Sequence, residues 1–228
     1  MKTCFKVPAL WVGVYGVIFG LTGTLEAGAE EMAPLKIEIP DPYFGGTPLD
    51  YFGPNLEKPN YKKRPPFMAP AGTTNVALGK TVDSSVSETR FGTFEMLVDG
   101  DKDYKKASRF GLDAGLQWVQ VDLGAVHDIY AVLLWHFHEG ERVYFDVSVR
   151  GATNADMTEN VSVIFNNDHD NSAGLGVGTD QEYIESYKGK LIDSKGVRAR
   201  YVRFYTKGNT TDDLAHYVEV EIFGKSAN

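Results

Sequence analysis

The sequence predicts an all-β domain of the sandwich or jelly-roll type, and three observations carry that prediction. Short segments in which apolar and polar residues alternate recur between turn signals. No amphipathic helical period is sustained along the chain. All 10 prolines lie at or before Pro70, and because proline removes a ladder donor, the segment beyond them is free to form uninterrupted strands. With 228 residues, that leaves one domain over residues 74–228 and a long extension before it.

Residues 1–29 have the pattern of a secretory signal peptide. Lys2 and Lys6 supply the charged start, Val7 to Leu21 the apolar centre, and Ala27-Gly28-Ala29 a small-residue cleavage site. The alternative is a retained anchor, although Gly13, Gly16 and Gly20 dilute the apolar run. The expectation is a secreted, periplasmic or cell-surface protein with no membrane insertion after cleavage. Cleavage would also remove Cys4, the single cysteine, leaving no disulfide and no thiol chemistry.

Residues 30–73 are rich in proline and in aromatic side chains, Tyr43, Phe44, Tyr51, Phe52, Tyr61 and Phe67 among them. Solvated linkers seldom carry so many rings, so the segment reads as an extended arm with polyproline character that lies on the domain or on a partner protein, a flexible linker being the alternative.

From Asn75 the elements follow in order. NVALGKTVDSS is a first strand, and FEMLVDGDKDY a short element followed by an acidic turn. Leu116 to His138 is the densest signal. Val119, Val121 and Leu123 alternate with Gln120 and Asp122, Gly124 and Ala125 interrupt, and Ile129 to Phe137 is apolar on both faces. This predicts a β-hairpin whose second arm is a central strand, delivering His136 and His138 on one face to the mouth of the fold. Val143 to Val149 predicts a half-buried strand, Asn160 to Phe165 another, and NNDHDNSAGLGVGTDQE a polar loop. ARYVRFYT (199–206) and HYVEVEIF (216–223) close the domain.

The net charge of -8 and sequence pI of 5.1 make nucleic acid and anionic lipid poor partners. The chain has no GxSxG elbow, phosphate loop, HExxH or mature cysteine, so no catalytic motif argues for an enzyme. Arg198, Arg200 and Arg203 punctuate a strand amid surplus carboxylates, which predicts ion pairing rather than phosphate binding.

The strings NVALGKTV, LVDGD, QWVQVDLG, ARYVRFY and VEVEIFG resemble, in order and approximate spacing, the discoidin or coagulation factor 5/8 type C domain, a galactose-binding-like family. The resemblance covers Thr74 to Lys225. It implies an eight-stranded jelly-roll β-sandwich whose first and last strands lie together, with ligand loops at one end. Lacking a cysteine pair, the chain resembles the bacterial branch, which includes many carbohydrate-binding modules.

Two sets of candidate site residues follow. His136, His138, Arg142, Asn166, Asp168, His169 and His216, with Asn167 and Asp170 nearby, supply the planar hydrogen-bonding groups that read sugar hydroxyls, and Trp135 an aromatic face or a core residue. The pairs His136/His138 and Asp168-His169-Asp170 also have transition-metal ligand chemistry. The turn Asp99-Gly100-Asp101-Lys102-Asp103 offers hard oxygen ligands, and the resemblance implies a structural calcium held by Asp99 and Glu219, with Asp101 less securely placed. The reading is a secreted, non-catalytic carbohydrate-binding module. Its competitors are a structural or protein-interaction subunit docking through residues 43–67 and, third, a metal-dependent hydrolase.

Overall fold

The computed structural model describes residues 1–3, 30–42, 51–60, 62–103, 108–140 and 142–227. The chain divides into two units, Met1–Glu30 and Glu31–Asn228. The predicted signal peptide falls in the first unit, and residues 4–29 of it lie outside the described residues. Among the described residues no helix is long and apolar enough to cross a membrane.

Among its described residues the second unit has ten strands: β1 (Met32–Pro34), β2 (Met68–Pro70), β3 (Thr74–Asn75), β4 (Thr81–Ser84), β5 (Phe110–Ala114), β6 (Leu116–His136), β7 (Ser148–Ala152), β8 (Ser162–Asn166), β9 (Lys190–Lys207) and β10 (Leu214–Ser226). The last eight form one hydrogen-bonded antiparallel system, ordered β3-β10-β6-β9-β7-β8, with β4 added to β6 and β5 to β10. The first and last strands of the domain do lie together, Asn75 opposite Phe223.

Two long strands make this system a sandwich. The predicted hairpin does not form: residues 116–136 are one strand, and both halves pair with β9, Leu116–Asp122 against Tyr201–Lys207 and His127–Leu134 against Lys190–Ala199. The register breaks between Asp122 and His127, around Gly124 with its φ of 83°. A glycine break is compatible with a tight turn or with a bend that carries a strand from one layer to the other, and here the long partner β9 selects the bend. The first half of β6 then belongs to a layer with β4, β7 and β8, and the second half to a layer with β10. Val119, Val121 and Leu123 from one layer meet Val132, Leu134, Val220 and Ile222 from the other in one buried cluster.

The predicted strand over Val143 to Val149 is reduced to bridges from Val143 to Ile184 and from Tyr144 to Asn209, and regular pairing starts at Ser148, after Asp146 adopts a φ of 50°. The arginine stripe is ion-paired as expected, Arg198 with Asp128 and Arg200 with Asp122, while Arg203 bonds Gln120.

The outer face of the second half of β6 is as apolar as its inner face. Ala131, Leu133 and Trp135 lie there with Val218 and Phe223 of β10, and Leu35, Ile37 and Phe67 of the arm cover them. The ends of the arm pair as β1 and β2. Its middle reaches the loop before β9, where Leu56 bridges Glu182 in parallel and Tyr51 donates to the Glu182 carboxylate at 2.5 Å. The described part of the arm thus makes these contacts with its own domain, although Met32, Ile39, Phe52 and Met68 remain exposed; Tyr43, Phe44 and Tyr61 lie outside the described residues. Leu35, Ile37 and Phe67 are themselves partly buried, so each contributes less than the ~1.5–3 kcal/mol of a fully buried side chain.

Candidate functional site

Because β6 folds over on itself, its two ends come to the same end of the sandwich: Thr206, opposite Gln117, bonds the His136 ring at 3.0 Å. The loops 137–147, 167–189 and 208–213 gather there as a rim. Three groups of polar side chains occupy it.

The first is internal. His136 is fully buried, with Nδ1 2.6 Å from Glu185 and Nε2 on Thr206, and its ring stacks on Tyr144 at 4.2 Å. With both nitrogens engaged it is a core network residue and corrects the expectation that it faces ligand or metal. His138 is also buried, its Nδ1 3.3 Å from the His136 carbonyl, and burial lowers its pKa against the opposing pull of Glu185. Trp135 is fully buried, donating to the Tyr187 carbonyl, and is packing rather than platform.

In the second group the Phe137 ring lies under two guanidinium groups, Arg109 at 3.6 Å and Arg142 at 5.0 Å. Arg142 donates to Asp212 at 2.8 Å and approaches His216 Nδ1 at 3.4 Å. Burial pushes the His216 pKa down to about 4, helped by the neighbouring arginines and opposed by Asp212, so its imidazole is neutral at ordinary pH. Arg142 and His216 therefore meet, as the sequence suggests, with the guanidinium engaged by Asp212, while His216 Nε2 is buried without a hydrogen-bond partner, 3.8 Å from Asp212.

The third group lines a cavity of about 440 Å3, whose wall includes Asn55, Phe145, Asn167, His169, Glu182 and Lys207. The loop after β8 is wound tightly to form it. Asp168, fully buried, accepts from the backbone N–H groups of Ser172 and Ala173, and the Asn166 side chain donates to the Gly176 carbonyl and accepts from the Asp168 N–H. Asn166 and Asp168 thus shape the loop. Asn167 is 2% exposed and accepts from the Val147 N–H at 2.7 Å through Oδ1, which fixes the amide's orientation; its Nδ2 has no acceptor. His169 Nε2, also buried, has no partner either. Two polar atoms on residues of this wall thus have no partner, beside carboxylates, an ammonium and the Phe145 ring, which lies 5.6 Å from Tyr51. Asp168 and His169 are legible in the sequence as polar loop residues. Asn55, Glu182 and Lys207 are not, because they reach the cavity from distant segments.

Asp146, Asp168 and Asp170 form the one group of three potential metal ligands among the described residues, their ligand atoms within 4.8 Å of one another. Internal donors already meet much of that charge: Ser172 Oγ bonds Asp146, the Ser172 N–H serves Asp168 and Asp170, and Lys207 lies 3.4 Å from Asp146.

The acidic turn lies elsewhere, against the outer face of β10. The Gly100 N–H donates to Glu219 Oε2 at 3.0 Å, while Oε1 has no hydrogen-bond partner and the residue is fully buried. Burial, with Asp99 and Glu221 nearby, drives its pKa up to about 9. An orphaned carboxylate oxygen next to Asp99 fits a hard cation. Asp101 fits less well: its oxygens take the Asp103 N–H and the Ser108 hydroxyl.

No protein-family model matches the chain, and no curated protein resembles it closely enough to count as a match. Solved structures of similar shape do exist. A family 89 glycoside hydrolase from Clostridium perfringens is 19% identical over 67% of this chain and 15% of its own, with a TM-score of 0.49. A Streptococcus pneumoniae fucose-binding module is 20% identical over 67% of this chain and 99% of its own, with a TM-score of 0.46. The lectin domain of lectinolysin, complexed with Lewis b, is 22% identical over 69% and 100%, with a TM-score of 0.48. The identities are low and all three TM-scores fall below one half.

Proposed function

We propose that this chain is a non-catalytic carbohydrate-binding module that grips sugar hydroxyls in the rim cavity beside Asn167. One observation carries the reading: an amide that is 2% exposed, pinned through Oδ1, leaves its Nδ2 donor unpartnered on the wall of a 440 Å3 polar cavity. A buried donor left without a partner costs about 1–3 kcal/mol, a cost that a ligand hydroxyl would relieve. Asp170 and Glu182 supply acceptors for further hydroxyls, Lys207 a donor, and Phe145 an apolar surface for a ring face. No bond is broken. The solved fucose-binding module and Lewis b complex are sugar binders of like shape; the reading for this chain rests on the cavity's own residues.

Two further parts belong to the same proposal. A cation, calcium by its oxygen donors, would be held by Asp99 and Glu219 and would tie the acidic turn to β10. Export through the signal-like residues 1–29 would place the module where extracellular glycans are met.

A glycan array spanning plant, algal and bacterial saccharides, followed by calorimetry on the hits, tests the reading. The expected outcome is binding by the wild type and a loss of at least about 10-fold in Asn167→Ala, the order of one hydrogen bond to a buried group. Silence of the folded wild type across the array would overturn it.

A further inference from the structure

A second cavity, of about 520 Å3, lies between the arm and the loop that leads into β9. It stands on the other side of the bridge between Leu56 and Glu182: Asn55 and Glu182 face the rim cavity, whereas Glu57, Gln181 and Tyr183 face this one. Its charge opposes that of the molecule. In a chain of net charge -8, five cationic residues, Lys58, Lys62, Arg64, Lys188 and Lys190, line it against two carboxylates, Glu57 and Glu185.

Glu57 pairs with Lys190 at 2.7 Å, and Glu185 is engaged through Oε1 by His136 at 2.6 Å, its Oε2 being buried without a hydrogen-bond partner. Arg64 and Lys188 are held by backbone carbonyls instead. Arg64 Nη2 donates to the Gly189 carbonyl, and Lys188 Nζ to those of Asn60 and Lys62. Arg64 Nη1 is buried with no acceptor. Burial alone lowers the Arg64 pKa, with no carboxylate offsetting it. A half-buried guanidinium with a spare N–H and no counter-ion is an incomplete arrangement, and its planar fork matches a carboxylate better than a point charge would. Charges beyond roughly 8 Å are screened, so an anion entering here meets the local cations rather than the acidic whole. The volume is far more than a bare inorganic anion needs and suits one or two sugar rings, with Tyr187, Pro59 and Pro65 offering apolar surface.

We propose that this arm-built cavity is an anion subsite that takes the carboxylate of an acidic saccharide on Arg64, with Lys188, Lys62 and Lys58 around it. For the saccharide part this rests on the sugar-binding reading above; for the anion it rests on the charge and geometry of the cavity.

The test is calorimetry of the full chain with disaccharides of glucuronate, galacturonate and mannuronate, their neutral parent sugars, and inorganic phosphate. At least one uronate should bind about 10-fold or more tightly than its neutral parent. That preference should vanish in Arg64→Gln and fall as salt is raised, and it should survive in Asn167→Ala. Because Arg64 also braces the Gly189 loop, the exposed pair Lys58→Gln/Lys62→Gln serves as a second variant and should weaken uronate binding without changing the melting temperature. Neutral sugars binding as well as every uronate would overturn this proposal and leave the rim reading standing. Uronate binding lost in Arg64→Gln but indifferent to Asn167→Ala, with no neutral sugar bound, would support it and overturn the rim reading. Phosphate that displaces the uronates at equal concentration would overturn the saccharide assignment, and no binding of any probe would overturn both.

Discussion

The Glu219 carboxylate ties two questions together, because a buried acid with one unpartnered oxygen must find a proton or a cation. In metal-free protein its pKa of about 9 stands above the ordinary value of 4.5. Between those values the folded state holds a proton that the unfolded chain has released, so this group's stabilisation is full below about pH 4.5 and is lost as pH rises toward about 9. Chelated protein should therefore melt lower at about pH 8 than at about pH 5, by several degrees. Calcium, which binds the ionised form, should restore the melting temperature most at the higher pH. Asp99→Ala and Glu219→Gln should each abolish the calcium effect without adding to one another, and Glu219→Gln should flatten the pH slope. Melting curves of metal-free protein check all three, and no response to calcium in that protein refutes the site. At this scale the sequence shows which residues are polar, not which keep an unused atom. His136 and Asn167 look alike as polar neighbours of strand ends. Only the packing reveals that Glu185 and Thr206 saturate one while the other is fixed through Oδ1 and left free at Nδ2.

Among the elements, β6 decides the architecture, and its sequence is readable up to one ambiguity. The alternation before Gly124 and the double-sided run after Ile129 give the apolar burial of both halves, but not that of Gln120, which is 3% exposed and bonded by Arg203. What lies between them is a bend rather than a turn, because the choice depends on β9, more than sixty residues away and itself legible only from Ala199 onward. The arm is similar: its aromatic content announces burial, but its destination on Leu133 and Trp135 depends on a face of β6 that only the assembled sheet defines. Gly189 joins these elements. It has a φ of 62°, its carbonyl receives Arg64 of the arm, and a Cβ there would lie 2.5 Å from the Trp135 ring. Gly189→Ala should cost about 2–4 kcal/mol in denaturant unfolding, from backbone strain and overpacking together. Gly140→Ala, at a φ of 80° with nothing within 4 Å, should cost only about 1–2 kcal/mol. Equal costs at the two positions would mean that the loop over Trp135 yields freely.

For the molecule as a whole, the proposed function rests on what the bend in β6 and the docking of the arm bring together. The bend places both ends of the longest strand at one rim, where three loops meet. The arm adds Asn55 and the Leu56 bridge, which separates an acidic rim cavity from a cationic one. The proposed recognition of sugar at Asn167 has a direct spectroscopic signature. The most direct measurement is the amide spectrum of isotopically labelled protein during titration with a saccharide that binds on the array. Saturable shifts are expected for the Asn167 side-chain amide and for the His169 and Asp170 backbone signals, with Gly124 and Ala125 at the opposite end unmoved. Saturable binding that leaves Asn167 and His169 unchanged would contradict that recognition.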